Sequence, residues 1–191
     1  MATVTPRRYT PADLLKINGR LMPELIDGKL VEREPMGQEA DEVGTNLIVF
    51  LKEYAKATLP GVINGGQGGF QIFPDDPKKV RIPDVAFTRR DRMPGGGPVK
   101  GHCRVVPELA VEIISPNDLA TKVRRKVRDF LAAGIPLVWV VCPESRDVAV
   151  YRLDGTGALR KEGETLDGEG ILPGFACPVA ALFEGLNGPP P

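Results

Sequence analysis

The chain has 191 residues, of which 42% are hydrophobic and 26% are charged, a composition typical of a globular protein in water. Its 25 basic and 25 acidic residues balance, so binding of a polyanion would have to come from local clusters of charge. The amino terminus lacks the apolar run of a signal peptide, no segment approaches membrane-spanning length, and the three scattered cysteines give no zinc or disulfide signature. We therefore expect a cytoplasmic protein that does not associate with membranes.

Cap and turn signals divide the first half of the chain into short elements. Thr10 followed by Pro11 predicts the start of a short helix, and Asp27–Gly28 predicts the two-residue turn of a hairpin. Apolar residues recur at helical spacing over Ala40–Ala57, which predicts an amphipathic helix. The glycine-rich segment that follows lacks the Gly-Lys-Ser/Thr of a phosphate loop, so we interpret it as a turn or bulge before a strand at Phe70–Phe73.

The second half of the chain consists mainly of strands around one helix. Strands are predicted at Ile82–Phe87, Leu109–Ile114 and Leu137–Cys142, and a helix is predicted over Leu119–Ala133. The last two of these strands are apolar on both faces and flank the helix, as in a βαβ crossover, so both belong at the centre of the sheet. A further strand is expected at 147–153.

These elements predict an α/β fold in which a mixed β-sheet is flanked by helices. We expect a single domain over residues 1–186 and a disordered proline-rich tail over residues 187–191. The polar, glycine-containing segment 155–170 is expected to contain a hairpin, and the apolar segment after it is expected to pack against the domain.

Glu112 lies near the middle of an apolar strand, where a charge is costly unless a cation or hydrogen bonds compensate it. If the strands Ile82–Phe87 and Leu109–Ile114 are neighbours, side-chain alternation can bring Asp84 beside Glu112. Two carboxylates close together in an apolar crevice repel each other, which raises the pKa of one of them unless a cation lies between them. A hard divalent ion such as Mg²⁺ takes oxygen ligands of this kind, with waters and substrate phosphate completing its shell.

The predicted helix brings a lysine to the edge of the core. At about 100° per residue, its buried stripe consists of Leu119, Val123, Val127, Phe130 and Leu131. Lys126 borders this stripe, whereas Arg125, Arg128 and Asp129 are expected to face solvent. Two carboxylates and a divalent ion beside a lysine are suited to hydrolysis of a phosphodiester bond, because a lysine can orient water or stabilise charge on phosphoryl oxygens.

The sequence also resembles the PD-(D/E)XK nuclease superfamily. The segment IPD ends at Asp84 and the segment VEII contains Glu112, but Ile114 stands where the superfamily usually has its lysine. A better match is the bacterial branch described as putative restriction endonucleases, in which the lysine is displaced onto the following helix. The matching segments, in order, are PELIDGKLVE (23–32), IPDVAF (82–87), ELAVEIISP (108–116), RRKVRDFLAAGIPLVWVV (124–141) and VAVYRLDG (148–155).

This resemblance implies a restriction-endonuclease-like fold and an endonuclease that uses Mg²⁺ or Mn²⁺ to hydrolyse DNA phosphodiester bonds. Asp84 and Glu112 carry over as metal ligands and Lys126 as the displaced lysine. Glu24 carries over as a further acid near the metal. DNA is the implied partner, and a homodimer is expected because nucleases that cut both strands often act in pairs.

Simpler interpretations of the same residues remain open. Glu112 and Lys126 could form a buried ion pair without chemistry, and Asp84 could cap a turn. Glu24, just before a hairpin, is more often a solvated residue. Ala40 stands where the family often has a histidine, which leaves open a catalytically inactive nuclease-fold protein that binds DNA or another protein.

Overall fold

A computed structural model of the protein describes residues 8–17, 22–116 and 118–186. In chain order its helices and strands are α1 (Pro11–Leu14), β1 (Glu24–Ile26), β2 (Lys29–Val31), α2 (Gln38–Ala57), β3 (Gly61–Gly65), β4 (Val85–Arg89), β5 (Leu109–Ile113), α3 (Ala120–Ala132), β6 (Leu137–Cys142), β7 (Asp147–Arg152), β8 (Gly157–Lys161), β9 (Thr165–Asp167) and β10 (Ala176–Pro178). The tail predicted at 187–191 lies outside the described residues, and the single domain over 1–186 stays a prediction.

Six strands form one mixed sheet in the order β3-β4-β5-β6-β7-β8. The neighbours β5 and β6 are parallel and are joined through α3, while the other four pairs are antiparallel. The hairpin β1–β2 and the pair β9–β10 form two small sheets beside it. The predicted α/β fold with a mixed sheet flanked by helices is therefore confirmed.

Side-chain alternation along β5 distributes its residues between two cores. Val111 packs in one core with Leu47 of α2, and Ala110 packs in the other with Phe130 of α3. Glu112 has the same parity as Ala110, so its side chain lies on the face of the sheet that α3 covers. The helix that carries the candidate lysine thus packs over the strand that carries the candidate glutamate.

The predicted signals at the start of the chain are confirmed. Thr10 caps α1 through a reciprocal capping box with Asp13. The turn between β1 and β2 has positive φ at Asp27 (52°) and Gly28 (72°), as a two-residue hairpin turn requires. No helix in the part of the chain that the structure describes is long and apolar enough to cross a membrane.

One strand prediction differs from the structure near the edge of the sheet. Phe70–Phe73 is not a strand, since only isolated bridges at Phe70 occur there. The strand lies earlier, at Gly61–Gly65, where the absence of a side chain on Gly61 leaves room for Phe87: a Cβ there would lie 2.2 Å from the ring. Gly61 thus permits close strand packing, and the predicted turn follows the strand at Gly66–Gln67.

The remaining differences concern element boundaries and pairing. β4 begins at Val85 rather than Ile82, because Pro83 has no amide hydrogen to contribute to the ladder. α3 begins at Ala120, so Leu119 precedes the helix and is exposed rather than buried. The predicted hairpin in 155–170 is absent, because β8 pairs with β7 while β9 pairs with β10.

Candidate active site

Asp84 immediately precedes β4 and lies beside β5, the neighbouring antiparallel strand that carries Glu112. The register of the two strands ends at the pair Val85–Val111, and the N–H of Asp84 donates to the carbonyl oxygen of Val111 at 3.0 Å. The backbone N–H of Ile113 donates to Oδ2 of Asp84 at 2.9 Å, which holds this carboxylate against β5. Both carboxylates are buried, with 8% and 6% of their surface exposed, and the charge of Asp84 contributes to the raised pKa of Glu112, so the two acids lie near each other as predicted.

Glu112 has one oxygen that is paired and one that is not. Nζ of Lys126 donates to Oε2 at 2.5 Å, whereas Oε1 is buried and has no hydrogen-bond partner among the described residues. Burial raises the pKa of Glu112 from 4.5 to about 8; Lys126 counteracts this rise, and the nearby negative charges of Asp84 and Glu24 add to it. A buried side-chain oxygen without a hydrogen-bond partner is uncommon, so this oxygen is a candidate contact for a bound ligand.

Lys126 reaches the two strands from α3. Its ammonium also donates to the carbonyl oxygen of Ile82 at 3.3 Å and lies 3.7 Å from Oε1 of Glu24. Burial acts to lower the pKa of Lys126, but the charges of Glu112, Glu24 and Asp84 outweigh it and raise the pKa above its usual value. The lysine is therefore a fixed positive charge surrounded by acids.

Glu24 is buried, so the interpretation of this residue as a solvated one is wrong. Hydrogen bonds between Leu25 and Val80 dock the β1–β2 hairpin beside the sheet and turn Glu24 inward. Its Oε1 accepts from the N–H of Ile82 at 2.9 Å and its Oε2 accepts from Nη1 of Arg81 at 2.7 Å. Burial opposes ionisation, yet Lys126, Arg81 and the N–H bond together hold the pKa of Glu24 below its usual value.

Arg81 connects Glu24 with α3, a link that sequence reasoning missed. Its Nε donates to Oδ2 of Asp129 at 2.8 Å, and Nζ of Lys79 lies 3.6 Å from the other oxygen of that carboxylate. The expectation that Asp129 faces solvent is therefore wrong, although Arg125 and Arg128 are exposed as expected. Arg81 stands between the apolar Val80 and Ile82, and a cation in such a segment signals a buried acidic partner.

Arg33, in the connection between β2 and α2, is a second contact that sequence reasoning missed. Its Nη2 lies 3.1 Å from Oδ1 of Asp84, and its Nη1 donates to the carbonyl oxygen of Gly66 at 2.5 Å. Burial raises the pKa of Asp84, and the positive charges of Lys126 and Arg33 and the N–H of Ile113 only partly offset this effect. No signal in the sequence separates Arg33 from the other charges around it.

These groups lie along one cleft of about 1200 Å³. All four residues proposed from the sequence contribute to its lining: Glu24, Asp84, Glu112 and Lys126. The exposed side chains of Lys122 and Arg125, from the outer face of α3, line the same cleft. Acidic and basic side chains thus share one surface depression.

Two comparisons with known proteins found similarities to this chain. The sequence model of the Uma2 family, described as "Putative restriction endonuclease", matches residues 11–180. A solved structure titled as a putative nuclease belonging to DUF820 from Anabaena variabilis is similar, with a TM-score of 0.77 and 18% sequence identity over 91% of this chain and 97% of that one. At this identity the similarity concerns the fold. None of the curated proteins matches the chain.

Proposed function

This chain belongs to the Uma2 family, and from that premise we propose that it is a Mg²⁺-dependent endonuclease that hydrolyses phosphodiester bonds in DNA. The observation that carries the proposal is Oε1 of Glu112, which is buried near Asp84 and has no hydrogen-bond partner among the described residues. Leaving a buried acceptor unpaired costs free energy. A bound cation would remove that cost and would use the carboxylates that sequence reasoning selected.

Asp84 and Glu112 fit a hard divalent ion by the chemistry of their oxygens. The described residues contain no group of three or more His, Cys, Asp and Glu side chains able to hold a metal, so the protein would supply two carboxylates. Mg²⁺ is commonly bound through one or two carboxylates, with waters and substrate phosphate as its other ligands, and Mn²⁺ accepts similar donors. When bound, the ion would polarise a phosphoryl oxygen and lower the pKa of a coordinated water.

Lys126 is the group proposed to act on the reacting phosphate. An ammonium has three N–H donors, and two of them are used by Glu112 and the carbonyl of Ile82. The third can orient the attacking water or stabilise negative charge that develops on a phosphoryl oxygen. Because the surrounding carboxylates keep Lys126 protonated, it would serve as a donor and not as a base.

Glu24 is proposed to position Lys126 rather than to bind the ion. Its two oxygens already accept hydrogen bonds from Ile82 and Arg81, and its charge lies beside the ammonium. Arg81 also binds Asp129, which lies one helical turn after Lys126. This chain of contacts fixes the position of α3 over β5, so it sets where the lysine lies relative to Glu112.

A second candidate is a nuclease-fold protein without catalysis that binds DNA or another protein. The observation that favours it is the local balance of charge, because Glu24, Asp84 and Glu112 each contact a protein cation. Such a protein would retain the ion pairs as structural contacts. It would neither bind a divalent ion at Glu112 nor cleave DNA.

A plasmid cleavage assay with Mg²⁺ and with Mn²⁺ tests the proposal. Wild type is expected to convert supercoiled plasmid to nicked or linear DNA, whereas Asp84→Asn and Glu112→Gln are expected to lose the activity and to retain the circular dichroism spectrum of the fold. Glu32→Gln is the matched control, since Glu32 lines the same cleft but is exposed. Equal cleavage by wild type and both site variants would mean a contaminating nuclease. Absence of cleavage by correctly folded wild type would favour the second candidate.

A homodimer belongs to the proposal because two copies are needed if each cleft cuts one strand of a duplex. Light scattering measures the mass of the protein in solution with and without a short DNA duplex. We expect a mass of two chains on the duplex, while a single chain on DNA that is cut in both strands would contradict this part of the proposal.

A further inference from the structure

We propose that Arg33 and the divalent ion compete for Oδ1 of Asp84, and that the displaced guanidinium then binds a phosphate of the DNA. This inference rests on the proposed function. Oδ2 of Asp84 is already used by the N–H of Ile113, so Oδ1, which Arg33 contacts at 3.1 Å, is the oxygen left for an ion. Arg33 would therefore be a substrate-binding residue of this cleft that pairs with the metal ligand Asp84 while no ion is bound.

The charges in the cleft explain why one cation has to leave. Arg33 lies 3.1 Å from Oδ1 of Asp84. A divalent ion on that oxygen would lie beside the guanidinium, and like charges this close repel each other. A phosphodiester anion offsets the added positive charge, and it can do so beside a guanidinium that no longer pairs with Asp84.

Arg33 is the cation that is held least firmly. Arg81 pairs with Glu24 and Asp129, and Lys126 contacts Glu112 and Glu24, whereas Arg33 pairs with one carboxylate in the described part of the chain. Its other partner is the neutral carbonyl of Gly66. Arg33 also belongs to the irregular connection between β2 and α2, so moving its side chain disturbs no ladder or helix.

The chemistry of arginine suits the second half of this exchange. A guanidinium presents parallel N–H donors that match the oxygens of a phosphate as well as those of a carboxylate. Asp84 and Arg33 both line the cleft, with 9% and 12% of their side chains exposed, so a substrate lying in the cleft can reach the released group. Exchange of the carboxylate for a phosphate thus couples metal binding to DNA binding.

Mn²⁺ affinity, measured by electron paramagnetic resonance of the unbound ion, tests the competition without any cleavage. Arg33→Ala is expected to bind Mn²⁺ about tenfold more tightly than wild type, a typical size for coupled binding. Arg125→Ala is the matched control, because it removes the same charge from the same cleft without touching Asp84 in the described contacts. Arg33→Gln is the substitute if Arg33→Ala does not fold, since its amide can still reach toward Gly66.

The possible results separate this inference from the proposed function. The inference is overturned if Arg33→Ala binds Mn²⁺ no more tightly than Arg125→Ala does. Such a result would mean that Arg33 holds Asp84 in place for the ion. If wild type and Arg33→Ala both bind no Mn²⁺ and wild type does not cleave DNA, the proposed function fails as well. Mn²⁺ binding that Asp84→Asn abolishes, in a protein that cleaves DNA, leaves the proposed function intact whatever Arg33 does.

The proposed binding of Arg33 to a DNA phosphate is tested by fluorescence anisotropy of a short DNA duplex in Ca²⁺ and in EDTA. Ca²⁺ takes oxygen ligands as Mg²⁺ does, and its use keeps the readout to binding. Wild type is expected to gain DNA affinity on addition of Ca²⁺, and Arg33→Ala is expected to lose most of that gain while Arg125→Ala keeps it. The same Ca²⁺-dependent gain in both variants would overturn the assignment of Arg33 to phosphate.

Discussion

Glu112→Gln should stabilise the metal-free protein at high pH, because glutamine has the shape and charge of protonated glutamate. The native pKa of Glu112 is raised by burial to about 8, against an ordinary value of 4.5. Between these two values the native state binds more protons than the unfolded state, so the stability that this group contributes is fully present below about 4.5 and is lost as pH rises through about 8. Glutamine cannot ionise and does not lose that contribution.

The difference between the two pKa values sets the size of the effect. At about 1.4 kcal/mol per pKa unit, it corresponds to about 5 kcal/mol, and water entering the open cleft reduces the amount that is realised. We expect Glu112→Gln to match wild type at pH 5 and to exceed its free energy of unfolding by about 2–5 kcal/mol at pH 9. For a chain of this length such a gain raises Tm by roughly 5–15 °C.

Urea denaturation in EDTA across pH 5–9 measures this difference between variant and wild type. Glu53→Gln, at an exposed position on α2, is the control and should follow the pH profile of wild type. The reasoning is refuted if the difference between Glu112→Gln and wild type does not change with pH. It is also refuted if the variant is less stable at pH 9, because the ion pair with Lys126 would then outweigh the burial of the carboxylate.

Three further substitutions test the site and its support. Lys126→Met should lower the rate of plasmid cleavage at least about 10²-fold while Mn²⁺ binding persists, and a loss of Mn²⁺ binding would show that the lysine holds the ligands in place. Asp129→Asn should lower the free energy of unfolding by about 1–3 kcal/mol in urea, because it leaves Arg81 buried with one anion fewer, and an unchanged value would mean that this contact does not anchor α3. Gly61→Ala should cost about 1–3 kcal/mol because its Cβ overlaps the ring of Phe87, whereas Gly163→Ala, which meets no atom within 4 Å, should not.

The sequence by itself was sufficient for the order of the main elements and for the choice of four candidate residues that lie along one cleft. Glu112 was detectable because a charge in an apolar strand contradicts its surroundings, and Asp84 followed from strand alternation. Lys126 followed from helical periodicity, while Glu24 came only from the resemblance to a known family. These signals are local, so they can be detected in one sequence without knowing how the elements pack against each other.

The tertiary structure alone decided how Arg33 and Arg81 are paired. Arg33 and Asp84 are 51 positions apart and Arg81 and Asp129 are 48 apart, so no local pattern predicts either contact. The burial of Glu24 depends on where the β1–β2 hairpin docks, and the exposure of Leu119 depends on where α3 begins. Periodicity predicts which side of a helix or strand is apolar. The partner of a buried charged side chain depends instead on how distant elements pack together. That partner determines both the pKa and the role of the charged side chain.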